Sequence, residues 1–205
     1  MSFLKAEWRK LAIANYAIDE KLLLQYLPPK TEIDKWKGTT YVSLVGFMFK
    51  NTRVLGMKIP FHINFEEVNL RFYVKYKEGN EWKRGVVFIK EIVPKHAITF
   101  IANTFYNEHY QTLRMKHCWE REGGSRKVKY EWKYKNQWQS FSVNADENPS
   151  EILSGSEPEF ITEHYWGYVR FNAQQSSEYQ VEHPSWRIHE VKHYDILCDG
   201  AKLYG

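Results

Sequence analysis

Apolar and polar positions alternate along most of this chain, so the pattern predicts strands. The clearest run is "FEEVNLRFYVKYKEGNEWKRGVVFIKEIV". In its first arm Val68, Leu70, Phe72 and Val74 share one face. Glu67, Asn69, Arg71 and Tyr73 share the other, as the two-residue period of a pleated strand requires. Gly79-Asn80 predicts the turn, and the second arm, Gly85 to Val93, is apolar on both faces, so the whole reads as a long antiparallel hairpin. "TTYVSLVGFMF" is β-branched and aromatic on both faces and predicts a central, doubly buried strand. "SRKVKYEWKY" alternates with Val128, Tyr130, Trp132 and Tyr134 on one side, and "NQWQSFSV" answers it across a turn at Asn136. "HYWGYVRF" gives a further strand, and "SEYQVEHPSWRIHEV" gives two more, broken at Pro184.

Helical signals are few. "DEKLLLQYLPP" predicts a short helix capped by Asp19, with Leu22, Leu23 and Tyr26 on one face and Pro28-Pro29 as the stop. Ile98, Ile101, Ala102 and Phe105 recur at helical spacing after Pro94. Ser156 and Glu159 have capping-box spacing for a third short helix. "NADENPSEILSGSEPE" reads as the most loop-like segment, and as an excursion rather than a domain boundary. The fold class expected is therefore mainly β, or β-rich α+β: one domain over residues 1–205, built on a curled antiparallel barrel or cone with two or three short helices. Closure of the sheet would remove exposed edges.

Composition narrows the function classes. Of 205 residues 43 % are apolar and 17 % aromatic, which suits a packed core with aromatic-lined walls. The 29 basic and 25 acidic residues leave a net charge of +4, too small and too dispersed to point to nucleic acid. Two cysteines far apart, Cys118 and Cys198, fit a reducing compartment rather than a disulfide framework. The N-terminal residues have no signal-peptide core, and no apolar run reaches the roughly 18 residues of a membrane span. The expectation is a cytoplasmic protein that engages neither membrane nor nucleic acid.

One metal motif is present by letter. "HEVKH", His189 to His193, matches H-E-x-x-H, whose histidines bind zinc from one face of a helix. Here the flanking residues alternate as a strand, which would hold the two histidines roughly 13 Å apart. Neither a metal nor a cofactor is expected.

"EIVPKHAITF" places Lys95 between the hairpin and a helix. With the turn at Gly79-Asn80, cross-strand partners have numbers summing to about 159, so Arg71 faces Phe88, Glu67 faces about Ile92, and Lys95 comes near the Glu67 end. Lys95 reads either as a surface lysine or as an amine tuned for imine chemistry by a helix start and neighbouring cations.

Taken together, "AEWRKLAIANY", "YVSLVGFMFKNTRVLG", "IPFHINFEEVNLRFYV", "RGVVFIKEIVPKHAITFIANTFYNEHY" and "FITEHYWGYVRF…EYQVEHPSWRI" resemble the YqjF-like family across nearly the whole chain. That resemblance implies the curled β fold of the acetoacetate decarboxylase-like superfamily. "FEEV" then puts Glu67 where those decarboxylases carry a glutamate, and "EIVPK" puts Lys95 at their Schiff-base position with Glu91 before it. His96 stands where they carry a second lysine, and the glutamate-to-proline spacing is shorter.

Two functions follow. In one, the chain binds a small organic ligand, such as a carboxylate or keto acid, in an aromatic-lined interior. Glu67 and Arg71 are then the polar anchors, and His164, Tyr165 and Trp166 a further wall. In the other, a lyase acts on a β-keto acid through Lys95, with Glu67 and Glu91 moving protons and Arg71 or Arg9 holding the carboxylate.

Overall fold

The computed structural model describes residues 4–54, 56–181, 183 and 185–204. The strands in chain order are β1 (Leu4–Ala17), β2 (Thr31–Ile33), β3 (Tyr41–Val54), β4 (Phe65–Glu78), β5 (Glu81–Val93), β6 (Tyr110–Thr112), β7 (Met115–Glu122), β8 (Ser125–Tyr134), β9 (Gln137–Glu151), β10 (Trp166–Arg170), β11 (Ser176–Gln180) and β12 (Arg187–Leu197). The helices are α1 (His96–Phe105), α2 (Glu157–Thr162) and α3 (Gly200–Tyr204). The fold is mainly β, as the alternation predicts. Pro184 lies outside the described residues.

One sheet runs β1-β3-β4-β5-β10-β11, and a second runs β12-β9-β8-β7. Neither closes, which corrects the expected barrel. The first sheet forks instead. The front of β4 pairs with β3 and its far end with β2; Gly85-Val86 of β5 pair with β10, whereas Glu91–Val93 pair with β6. Both links from β5 are parallel; α1 carries the chain back before β6, and β10 arrives only after the second sheet's β7–β9 and α2.

The first sheet is buried on both faces. Val68, Phe72 and Val74 pack with Tyr130, Trp132 and Phe141 of the second sheet and with Leu203 of α3. Gly46 makes this close approach possible, since a Cβ there would stand 2.7 Å from the Tyr130 ring. The opposite face, the inner wall of the curl, carries Val45, Phe47, Phe49, Phe65 and Val93, and further along Tyr73, Val86, Phe160 and Ile161.

Two local expectations need correcting. The segment before Pro28 forms two 3-10 turns, Glu20–Leu22 and Leu24–Tyr26, not an α-helix. Asp19 caps the first as expected, but the proline pair leaves too little chain for a longer helix. The stretch read as a loop around Pro149 instead extends β9, pairing Pro149 with His189 and Glu151 with Arg187. The β8 ladder ends at Asp146, so the proline's missing N–H costs no bond on that side. At the next helix Ser156 accepts from the Glu159 amide, while Glu159 reaches the Gly155 amide.

Candidate functional site

The site begins with a bulge. From the turn down to Arg71↔Phe88 the hairpin keeps the sum of 159, but beyond it Leu70 pairs with Lys90, Asn69 with Glu91 and Val68 with Ile92. Ile89 is the extra residue. Residues past it exchange faces relative to an unbroken register. Ile89 joins the core between the sheets, and the Lys90 ammonium donates to the Leu203 carbonyl on that side. Glu91 therefore turns inward beside Glu67, and a row Val45–Asn69–Glu91–Tyr110 crosses four strands.

Glu67, Asn69, Arg71 and Glu91 are buried, with 2 %, 2 %, 6 % and 3 % of their surface exposed. Asn69 Nδ2 donates to Glu67 Oε1 at 2.8 Å, and the Tyr110 hydroxyl donates to Glu67 Oε2 at 3.3 Å. Glu108, in the turn after α1, interacts with the Glu91 carboxyl and the Tyr179 hydroxyl. Tyr179 reaches across β10 because Gly167 is bare; a Cβ there would lie 2.2 Å from its ring. Burial raises the Glu67 pKa to about 7, with the hydrogen bonds from Asn69 and Tyr110 opposing it. Burial likewise raises Glu108 to about 7. Glu91 is pushed well above the carboxylate range, by burial first and then by Glu108 and Glu67. All three carboxyls are thus pushed toward the protonated form.

Further along β4 the chemistry changes sign. Arg71 Nη2 donates to the Ile161 carbonyl at 3.4 Å, and its Cζ lies 5.7 Å from the Tyr73 ring centre. His164 lies 4.8 Å from the same ring, and its Nε2 is 3.2 Å from Asp34 Oδ2, which also accepts from Arg84 at 2.7 Å. Burial lowers the His164 pKa to about 4, against the opposing hydrogen bond to Asp34. A neutral ring facing a carboxylate donates from Nε2, which leaves Nδ1 as a lone pair. Four atoms on this wall are buried without a hydrogen-bond partner: Asn69 Oδ1, Arg71 Nε, Glu91 Oε2 and His164 Nδ1. Orphans of this kind cost about 1–3 kcal/mol each unless something completes them.

The structure thus brings Glu67, Glu91, Arg71 and His164 to one wall. It places Arg9 and Trp166 elsewhere. Arg9 lies on β1, exposed and paired with Glu7 at 2.6 Å. Trp166 packs on the intersheet side, with the Lys83 ammonium 4.2 Å from its ring centre. Lys95 is the half-buried N-cap residue of α1, and its amine makes no hydrogen bond or ion pair among the described residues. Glu108, Tyr110 and Tyr179 are the residues that sequence reasoning missed. The only signal for Glu108 and Tyr110 was "NEHY", where Asn107 takes a left-handed turn ahead of a three-residue strand, too short to show a period.

Two surface grooves lie elsewhere, one of about 510 Å³ beside Asp34 and Lys75 and one of about 330 Å³ between Tyr76 and Phe171. The first is walled by charges already paired, Lys35 with Glu20 and Lys75 with Glu32. The unpartnered atoms of the inner wall mark the candidate site instead.

Known proteins agree with this architecture. A Legionella pneumophila acetoacetate decarboxylase has a similar fold, with a TM-score of 0.58, 13 % identity, and coverage of 93 % of this chain and 83 % of that one. The enduracididine biosynthesis enzyme MppR, in a complex with pyruvate, gives a TM-score of 0.55 at 10 % identity, covering 92 % and 88 %. The uncharacterised protein YqjF of Bacillus subtilis (strain 168) is 25 % identical over 194 residues, covering 92 % of this chain and 76 % of YqjF. The profile of DUF2071, a family described as an uncharacterised conserved protein, matches residues 5–203, and the chain belongs to that family.

Proposed function

We propose that the chain is a small-molecule-binding domain whose inner β4–β5 wall holds a small organic carboxylate, keto acids included, against Arg71. The observation that carries this reading is Arg71 itself. Arg71 is 6 % exposed, it has no carboxylate in ion-pair contact among the described residues, and its Nε–H has no acceptor. A buried cation left without a counter-ion is costly, and an anion arriving from outside removes that cost. The aromatic surroundings, Phe47, Phe65, Tyr73 and Tyr110, suit a small molecule with an apolar body. Two proteins of this fold support the ligand class: one is an acetoacetate decarboxylase, and another was captured with pyruvate.

Calorimetric titration with pyruvate and acetoacetate tests the reading. The wild-type chain is expected to bind at least one of them, and Arg71→Leu to weaken that binding by about tenfold or more, the worth of a charge-assisted hydrogen bond. Equal affinity in the two proteins would overturn it. Borohydride reduction in the same samples separates binding from imine chemistry. No adduct is expected, because among the described residues the Lys95 amine makes no hydrogen bond or ion pair with Glu67 or Glu91. A trapped adduct that disappears in Lys95→Ala would reassign the chain as a lyase.

A further inference from the structure

Of the four unpartnered atoms of the inner wall, His164 Nδ1 is an acceptor set apart beside Tyr73, and the three on β4 and β5 are sorted by polarity. At the Glu91 end both atoms, Glu91 Oε2 and Asn69 Oδ1, are acceptors. At the other end Arg71 Nε is a donor. A simple carboxylate satisfies only the donor and leaves both acceptors unmet.

Charge is sorted in the same direction. Three carboxyls, Glu67, Glu91 and Glu108, act on one another, and Arg71 is the cation whose charge reaches Glu67. The bulge at Ile89 builds this excess. In an unbroken register Lys90 would face inward opposite Asn69 and supply a second cation, whereas the observed register places Lys90 on the intersheet side and Glu91 inside. The register has exchanged an ammonium for a carboxyl at the centre of the wall.

Resting on the small-carboxylate reading above, we infer that the ligand is a zwitterion, with a cationic N–H group lodged among Glu67, Asn69 and Glu91 and a carboxylate at Arg71. Asn69 and Arg71 are two residues apart on one strand face, roughly 7 Å between their Cα atoms. That span suits an amine and a carboxylate separated by a short aliphatic stretch, and the chemical class is a small amino acid or amino-keto acid. Ammonium N–H groups meet both orphan acceptors, and the carboxylate meets the orphan donor. Every buried atom left open at this part of the wall is thereby completed.

The test is a matched titration of the wild-type chain at pH 7 with ω-amino acids of two to five carbons, the corresponding unsubstituted acids, and the corresponding amines. At least one amino acid is expected to bind about tenfold tighter than its parent acid and its parent amine. Glu91→Gln, an isosteric change, is expected to erase that preference, so that the amino acid binds no tighter than its parent acid to the same variant, and circular dichroism verifies that the variant is folded. If the parent acid binds as tightly as the amino acid, the zwitterion inference fails and the simple-carboxylate reading stands. Should none of the amino acids, acids or amines bind, both fall.

Discussion

At Glu67 two opposite demands meet on one side chain. Burial favours the protonated form, while Asn69 and Tyr110 donate to the carboxylate, and the balance sets the pKa at about 7 against an ordinary value of 4.5. A carboxyl raised in this way stabilises the fold below the unfolded pKa, and that contribution is lost as pH rises through the folded one. The window is therefore pH 4.5 to about 7, and Glu108 shares it. His164 acts in the opposite sense: lowered to about 4, it withdraws stability as pH falls from 6.5 toward 4. The carboxyls outnumber the histidine, so stability is predicted to decline from pH 5 to 7. Glu67→Gln should remove about 1.4 kcal/mol per pH unit of that decline, measured by urea unfolding at pH 5, 6 and 7. A profile parallel to the wild type would mean that Glu67 does not titrate there. The alternation of β4 made Glu67, Asn69 and Arg71 legible as one face. What periodicity could not reveal is that this polar face is the inner one.

At the scale of the element, the bulge in β5 and the bare backbone of β10 position the site. The hairpin turn at Gly79-Asn80 and the pair Arg71–Phe88 follow directly from the sequence pattern, since a tight turn sets the register next to it. The extra residue at Ile89 has no such signature. "VVFIKEIV" is apolar enough to hide a one-residue slip, and that slip decides whether Glu91 or Lys90 enters the interior. The short strand β6 was not legible for a related reason: three residues carry little periodicity. Gly167 offers a test at this scale. A Cβ at that position overlaps the Tyr179 ring, so Gly167→Ala should cost about 1–3 kcal/mol and displace the Tyr179 hydroxyl from Glu108. Urea unfolding would measure the cost, and the Tyr179 ring resonances in an NMR spectrum would report the displacement. Unchanged stability and unchanged resonances would show that the ring packs differently.

For the whole molecule, the β-rich class was legible from how many segments alternate and where they turn, whereas the decarboxylase-like fold was legible only through the family resemblance. Closure was not. β4 and β5 each spend their two ends on different partners, so the sheet forks and stays open. No helix of the described residues is long and apolar enough to cross a membrane. The second sheet backs the first through Tyr130 against Gly46, leaving the curl's other face to enclose the polar wall. The account rests on that wall being built to hold something. A crystal structure at a resolution that reveals ordered solvent, determined at pH 7, tests this most directly. It should contain ordered density, from solvent or a small solute, within hydrogen-bond distance of Glu91 Oε2, Asn69 Oδ1 and Arg71 Nε. A dry interior in which Arg71 pairs directly with Glu91 or Glu67 would contradict the account.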